Sequence, residues 1–509
     1  MNFNQIFYER EKCEVLLIQP HILKQVPLSD IDEVQTTYWR LMSSVGTLFG
    51  DLPIEPNWGL MYIAANCKAN GIKVRMLDFH LYDYIKYQRN GKFISYDDIE
   101  AILRRKSFRV VGITAMTRSC MRAMRIAQIC KMINPDCLVV LGGIHFSFSH
   151  DNKLLDSEFV DALILGEGED AFIKFYQNAD DKLAWGSING LVYRQENKTV
   201  SNKNFNIIQN IDRLPYPDYE SWPSDVPVIP RIYCSRGCIG RCEFCAVANF
   251  FCKTFRKRAI DNVLNEIEFL KSTYGFKEYL IGDLSFGIIK NDAFDLCHKL
   301  IEKKLNIHWW CQTRPDLIDN DLLASMKLAG CIQIGIGIES SSTMILNDTN
   351  AKKTTDRGID KVLRRIKEAD ILVQGYFIIG LPGETMESAN NTIDLISSLI
   401  EKELIDVAHI SVLAPYPGTS LHDFPEQHGI EIVNWNYEDF LMNCDLMNSG
   451  VPVFNTSDLS RHQIYSLWQL ALATAAKKFS NRTTKKTIMF EDLETFVGNI
   501  AFEENIEMI

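Results

Sequence analysis

Short apolar runs alternate with helical periodicity along most of this 509-residue chain, and that alternation restricts its fold more than any other feature. Residues 14–19, with Val-Leu-Leu-Ile at their centre, read as a buried strand; Leu60, Ile63, Ala64 and Cys67 then recur at i, i+3, i+4 and i+7, one face of a helix. Further strands are expected at 73–77, 110–114, 137–141 and 162–165. Ile126, Ile129, Cys130 and Ile133 repeat the helix signature between two of them. Strands joined in this way by helices form a parallel sheet covered on both faces. Residues 180–225 break the rhythm with polar residues and Leu214-Pro-Tyr-Pro, the composition of a linker, with a hairpin around residues 190–193.

The rhythm resumes with a strand at 228–234 and five more at 278–281, 307–312, 332–338, 373–379 and 407–413. Helical patterns such as Val263, Ile267 and Leu270 lie between them. Six successive strand-helix units favour a partial (β/α)6 barrel, with a second doubly wound sheet as the alternative. The expected class is α/β: an N-terminal doubly wound parallel sheet (1–180), a linker (181–225), a barrel (226–425) and a mostly helical C-terminal region (426–509). In the last, Ser457-Asp-Leu-Ser460 opens a long helix bearing Ile464, Leu467, Leu470 and Leu472. A connection at 20–56, longer than compact domains need, points to a functional loop.

Parallel sheets bind ligands at the carboxyl ends of their strands. Three such segments in the first half are rich in small residues: Thr114-Ala-Met116-Thr117-Arg-Ser119, Gly142-Gly143-Ile-His145 and Gly166-Glu167-Gly168-Glu169. In the second half the first strand runs into Cys234-Ser-Arg-Gly-Cys238-Ile-Gly-Arg-Cys242-Glu-Phe-Cys245. Cys238, Cys242 and Cys245 form one C-x3-C-x2-C set, with no other register available. Three thiolates suit a [4Fe-4S] cluster with one iron left open, because a cluster held only for electron transfer normally takes four cysteines. A zinc site completed by Cys234 or Cys252 is the other reading.

Composition narrows the function. A net charge of -11 without basic clusters argues against a nucleic-acid partner. The chain shows no apolar run long enough to span a bilayer and no secretory leader, so a cytoplasmic protein is expected. In a reducing compartment its cysteines are thiols or ligands rather than disulfides.

Thr114-Ala-Met116 and Gly142-Gly143, after successive strands, resemble the Ser-x-Leu and Gly-Gly segments of cobalamin-binding domains. Asp78-Phe-His80 falls after the wrong strand and lacks the final glycine of the axial-histidine motif, so a cobalamin without a histidine ligand is implied. In the second half, Arg236-Gly-Cys238-x3-Cys242-x-Phe244-Cys245, Gly335-Ile-Gly-Ile-Glu339-Ser340, Gly380-Leu-Pro382-Gly-Glu384 and Pro415-Tyr-Pro-Gly-Thr419 resemble the radical SAM enzymes whose barrel follows a cobalamin-binding domain. That resemblance implies three cofactors: a [4Fe-4S] cluster on Cys238, Cys242 and Cys245, S-adenosylmethionine chelated at its open iron, and cobalamin. It implies that Phe244, Asp283, Glu339, Gly380, Pro382 and Glu384 contact S-adenosylmethionine, with Asp283 at the methionyl amine and Glu339 at the ribose. It further implies that Thr114, Met116, Thr117, Ser119, Gly142, Gly143, His145, Gly166, Glu167 and Gly168 contact cobalamin. The activity implied is methylation of an unactivated carbon or phosphorus of a small molecule through a 5'-deoxyadenosyl radical, with cyclisation or rearrangement as the alternative. A flavodoxin- or ferredoxin-type electron donor is the implied partner. Arg258 and Arg314 are read as surface ion pairs or rim contacts.

Overall fold

The computed structural model describes residues 1–21, 55–149, 155, 157–196, 198–202, 205–349, 356–440 and 451–481. These fall into two compact units that meet at the 228/229 bond. Most of the 20–56 connection, including Tyr38 and Trp39, lies outside the described residues.

The first unit is built on β1 (Val15–Gln19), β2 (Val74–Asp78), β3 (Val110–Thr114), β4 (Leu138–Gly142) and β5 (Ala162–Ile164), all parallel in the order β2-β1-β3-β4-β5. Every residue of β1 and β2 is buried; β1 reads accordingly as an apolar run, whereas β2 carries buried Arg75 and Asp78 within it. Helices α1 (Trp58–Ala69), α2 (Phe79–Asn90) and α3 (Cys120–Ile133) lie in crossovers between parallel strands, and α4 (Gly168–Gln177) follows β5. The strand order reverses at β1, so right-handed crossovers lay helices on both faces and leave a crevice between the carboxyl ends of β1 and β3. The hairpin assigned to a linker instead extends this sheet. Its strands β6 (Leu191–Gln195) and β7 (Lys198–Ser201) run antiparallel, β6 pairing with β5 through Ala162 and Tyr193.

The second unit has six parallel strands in strict chain order: β8 (Arg231–Ile232), β9 (Glu278–Ile281), β10 (His308–Thr313), β11 (Cys331–Glu339), β12 (Leu372–Ile379) and β13 (Val407–Val412). The connecting helices are α5 (Ile260–Tyr274), α6 (Lys290–Glu302), α7 (Asn320–Leu328), α8 (Asp356–Glu368) and α9 (Met386–Glu401). With no reversal, right-handed crossovers place all the helices on one face, the winding of a barrel. The sheet is open, with β8 and β13 at its edges, so the partial barrel holds and the doubly wound alternative does not. The helix-covered face buries Ile334, Ile336 and Ile338 completely or nearly so, each stabilising by roughly 1.5–3 kcal/mol before unfolded-state compaction is discounted.

The long C-terminal helix α10 (Arg461–Ser480) starts at Ser460, whose hydroxyl accepts from the Gln463 amide in a capping box. Its buried stripe is Ile464, Leu467, Trp468, Ala471, Leu472, Ala475, Ala476 and Phe479. Leu470, expected on that stripe, is exposed. The helix packs on α9 and β13. Trp468 Nε1 donates to the Ile410 carbonyl at 2.9 Å, occupying an acceptor on edge strand β13.

Candidate active site and cofactor rims

Beyond β8 the chain forms a small antiparallel hairpin, Ser235–Gly237 against Phe255–Lys257, and the cysteine loop is its tip. Gly237 makes the hairpin possible: at φ +101° a Cβ there would lie 1.9 Å from the Thr254 carbonyl oxygen. Cys238, Cys242 and Cys245 are all half-buried and in no disulfide. The Gly240 amide donates to Cys238 Sγ at 3.3 Å, and a Cβ on Gly240 would sit 3.2 Å from that sulfur and 4.0 Å from Cys242 Sγ. The loop backbone therefore wraps two of the three sulfurs. Its far end is tied down as well. The Glu243 amide donates to the Thr349 carbonyl at 3.0 Å, Glu243 Oε2 lies 3.2 Å from His428 Nδ1, and Asn249 Nδ2 donates to the Gly418 carbonyl at 2.8 Å.

The donor set fits a cluster better than zinc. Cys234 is half-buried, and desolvation followed by the neighbouring Asp283 charge raises its thiol well above the ordinary range, so it stays protonated. Cys252 is exposed at φ +51° on the turn behind the hairpin. Among the described residues no three His, Cys, Asp or Glu side chains converge on a single metal-ion position. Thiolates that each bind a different iron of one cubane have no need to converge.

Asp283, just past β9, reaches back to the base of the cysteine loop. Its Oδ1 accepts from the Cys234 amide at 2.7 Å and the Ser235 amide at 3.0 Å, and Oδ2 accepts from Ser235 Oγ at 2.7 Å. Burial pushes its pKa up to about 6, against the lowering effect of those hydrogen bonds. These three hydrogen bonds position the base of the cysteine loop.

The remaining rim residues come together at the carboxyl ends of β10 to β12. Arg314, after β10, donates from Nε and a terminal nitrogen to both oxygens of Asp316 at 2.9 Å. Its pKa is raised first by that pair and further by Cys242 and Cys238, which places the guanidinium within electrostatic reach of the cysteine loop. Glu339 ends β11 at φ +64°, a left-handed conformation costing a non-glycine residue about 1 kcal/mol or more, where the β11–β12 register also shifts. It is 7% exposed.

The Gly380–Glu384 turn after β12 folds on itself: the Gly380 amide donates to Glu384 Oε2 at 2.6 Å, and the Glu384 amide to the Leu381 carbonyl at 3.0 Å. Glu384 Oε1 is buried without a hydrogen-bond partner, and burial raises the carboxyl pKa to about 7. A Cβ on Gly380 would lie 2.9 Å from Ile464 of α10. Sequence reasoning missed this seating by the C-terminal helix, which carries no motif. Pro382 and Phe244 are half-buried on their loops. Arg258 is no surface residue: at 6% side-chain exposure it pairs with fully buried Glu266 at 2.5 Å and donates to the Tyr233 carbonyl at 3.0 Å.

In the first unit, the loops after β3 and β4 meet. A Cβ on Gly143 would lie 2.6 Å from Thr114 Oγ1 and 2.7 Å from the Ala115 carbonyl oxygen, and the His145 amide donates to that carbonyl at 3.3 Å. His145 is buried with Nδ1 3.4 Å from Thr117 Oγ1, and Ser119 Oγ closes its own turn on the Met116 amide at 3.2 Å. Met116 is 45% exposed. A Cβ on half-buried Gly142 would meet the Ile164 carbonyl oxygen at 3.7 Å, ordinary contact, so this position is not crowded.

The segment after β5 is committed elsewhere. Gly166 closes on Asn206, Glu167 Oε2 accepts from the Ile208 amide at 2.6 Å, and a Cβ on Gly168 would meet Ile63 at 3.0 Å. These three residues hold the chain at 206–208 and α1. His80 opens α2, where burial and then the Arg122 and Arg118 charges lower its pKa to about 4.

Comparison with known proteins agrees with this division. The B12 binding domain family matches residues 52–175, and the radical SAM superfamily matches residues 232–396. An uncharacterized methyltransferase of Pyrococcus horikoshii, PH0819, is 31% identical over 349 residues, 67% of this chain and 75% of its own. The anaerobic magnesium-protoporphyrin IX monomethyl ester cyclase of Rubrivivax gelatinosus is 26% identical over 422 residues, 79% of this chain and 73% of its own. Among solved structures, the radical S-adenosylmethionine methyltransferase TsrM of Kitasatospora setae, with cobalamin and a [4Fe-4S] cluster bound, superposes with a TM-score of 0.64 at 16% identity. That match covers 86% of this chain and 81% of TsrM.

Proposed function

Because the chain belongs to the radical SAM enzymes that carry a B12-binding domain, we propose that it methylates an unactivated carbon, or phosphorus, of a small molecule. The cofactors are a [4Fe-4S] cluster, S-adenosylmethionine and cobalamin. When bound, they supply hydrogen abstraction and a transferable methyl group. The observation that carries the reading is the cysteine loop standing on the same strand ends as Arg314, Glu339 and the Gly380 turn.

Each residue has a task within that rim. Cys238, Cys242 and Cys245 offer three thiolates for the cluster. The Gly240 amide and the Arg314 guanidinium offset negative charge at Cys238 and Cys242. Strained Glu339 presents a carboxylate suited to paired hydroxyls, and the Gly380–Glu384 turn presents backbone groups beside it. Asp283 fixes the hairpin from which the cysteine loop springs. On the first unit, Thr114, Met116, Thr117, Gly142 and Gly143 form the cobalamin edge, with neither His80 nor His145 as an axial ligand. A flavodoxin- or ferredoxin-type protein supplies electrons. Among the described residues, the domain limits that follow are 1–21 and 55–228 for the cobalamin-binding unit and 229–481 for the barrel with its C-terminal helix.

Radical cyclisation is the second reading, favoured by the cyclase relative, which spans 79% of this chain. The test is turnover with S-adenosylmethionine labelled in its methyl group. Methyl transfer yields S-adenosylhomocysteine and 5'-deoxyadenosine together, with label in the product. 5'-Deoxyadenosine without S-adenosylhomocysteine selects cyclisation or rearrangement.

A further inference from the structure

The charge of the cysteine hairpin departs from that of the chain around it. Residues 231–258 hold seven arginines and lysines and a single acid, Glu243, whereas the whole chain carries -11. The basic residues expected to be dispersed are therefore clustered at this one place. Three acids reach the segment from outside it: Glu266 pairs with Arg258, Asp283 accepts from the Cys234 and Ser235 amides, and Asp292 pairs with Lys257 at 2.9 Å. Even with all three counted as ionised, the hairpin keeps an excess of three positive charges.

Part of this charge stands at the surface next to the cluster ligands. Ile239, which follows Cys238, is 59% exposed, and Arg241, which precedes Cys242, is exposed as well. The hairpin brings Lys253 to the same loop. Gly237 pairs with Phe255, and the Thr254 carbonyl lies against Gly237, so exposed Lys253 stands across from the start of the cysteine loop. Its amide donates to the Ala248 carbonyl at 2.6 Å, which fixes the turn. Among the described residues neither Arg241 nor Lys253 has an ion-pair partner. Exposed acids enter at the other end of the loop, where Asp348, Asp423 and Glu426 belong to the segments tied to Glu243 and Asn249. The loop thus shows an apolar centre, a cationic side and an acidic side.

Reductive chemistry at the cysteines needs electrons from outside, one at a time. The exposed residues of the loop are one position away from the ligands, the shortest route from solvent by way of the chain. A carrier protein of net negative charge is repelled by a chain of -11 except where cations gather, so its approach is steered to the hairpin. Transient redox contacts bury less than about 1,200 Å², a scale that an apolar centre with a few rim charges can serve. A polynucleotide instead needs grouped cations along its length, and here the acids at the other end of the loop interrupt them.

We infer that Ile239, Arg241 and Lys253 form the docking surface for an acidic one-electron carrier protein. The inference rests on the radical SAM reading of the cysteine set. In the step it serves, the reduced carrier loses one electron and the cluster gains it, with no bond or proton moved. The test follows the visible absorbance of the anaerobically reconstituted full chain in stopped flow, with a reduced flavodoxin of net negative charge as the carrier. Photoreduced deazariboflavin, which is uncharged, serves as the comparison. With flavodoxin, the wild-type rate constant should fall about tenfold as ionic strength rises from about 0.02 to 0.2 M, and with deazariboflavin it should not. Arg241→Glu and Lys253→Glu should each slow the flavodoxin reaction about fivefold at low salt. Arg241→Lys should keep the wild-type rate, as should Lys304→Glu, a reversal at an exposed position before β10, at the amino end of the sheet. If Arg241→Glu disturbs the loop, it slows deazariboflavin too, and Lys253→Glu and the wild-type salt curve then decide. A salt-independent flavodoxin reaction, or equal slowing by Lys304→Glu, overturns the inference. So does a single-stranded oligonucleotide whose binding is lost in Arg241→Glu and Lys253→Glu while their flavodoxin rates stay unchanged, an outcome that selects a nucleic-acid partner. Failure of deazariboflavin to drive 5'-deoxyadenosine release in the wild type would instead remove the radical SAM reading itself.

Discussion

Replacing Asp283 separates two roles for one carboxylate. In the structure it accepts three hydrogen bonds, two of them from the buried backbone at Cys234 and Ser235. Asp283→Ala removes all three and leaves two amide donors unsatisfied, at about 1–3 kcal/mol each. The expected cost is about 3–5 kcal/mol, falling on the base of the hairpin that carries the cysteine loop. Asp283→Asn keeps an acceptor for both amides and should cost roughly 1 kcal/mol or less. The assay pairs urea unfolding, followed by tryptophan fluorescence, with iron and sulfide content after reconstitution. Asp283→Ala should unfold at lower urea and load less than half the wild-type iron, with Asp283→Asn close to wild type in both. If Asp283→Ala loads iron fully and unfolds normally but fails to bind S-adenosylmethionine, the positioning role is wrong and the methionyl-amine contact is right.

Glu384→Gln tests the turn after β12. Its carboxyl pKa is raised to about 7 in the folded protein, so the stability this group contributes is fully present below its unfolded value near 4.5 and is lost as pH rises through 7. Hydrogen exchange at the Gly380 amide should therefore accelerate between pH 6 and 8, beyond the intrinsic base dependence, in the wild type and not in Glu384→Gln. Arg258→Met strands the fully buried Glu266 carboxylate and should destabilise by about 3–5 kcal/mol, measured by thermal or urea unfolding, with the double variant Arg258→Met/Glu266→Leu recovering most of it. Gly237→Ala places a methyl against the Thr254 carbonyl and should cut iron loading more severely than any other single alanine outside the three cysteines.

Elements were more legible in the sequence than partners. Buried parallel strands are apolar at nearly every position, so ten of the expected strands appear within a residue or two of their predicted ends, and the carboxyl-end rule gathered the cysteines, Arg314, Glu339 and Gly380 onto one rim. What a side chain does at that rim depends on which distant backbone reaches it. Asp283 turns toward Cys234 and Ser235, 49 and 48 positions away, and Glu167 toward Ile208, 41 positions away. No local spacing encodes either choice. The hairpin at 191–201 looked like a linker because its turn and flanks are polar, but β6 supplies the edge pairing that β5 would otherwise lack. Arg258 looked superficial because its partner, Glu266, is a charged residue on a helix whose buried side could not be read from charge alone. The seating of Gly380 on Ile464 joins two segments with no shared motif.

The central claim is that Cys238, Cys242 and Cys245 hold a cluster with one iron available to S-adenosylmethionine, and the most direct measurement of it is 5'-deoxyadenosine release after anaerobic reconstitution and reduction. The account predicts release by the wild type and by Cys234→Ser and Cys252→Ser, with loss of release in Cys238→Ala, Cys242→Ala and Cys245→Ala. Release that survives any of those three alanine substitutions, or that never occurs in a wild-type preparation with a full complement of iron and sulfide, would contradict it.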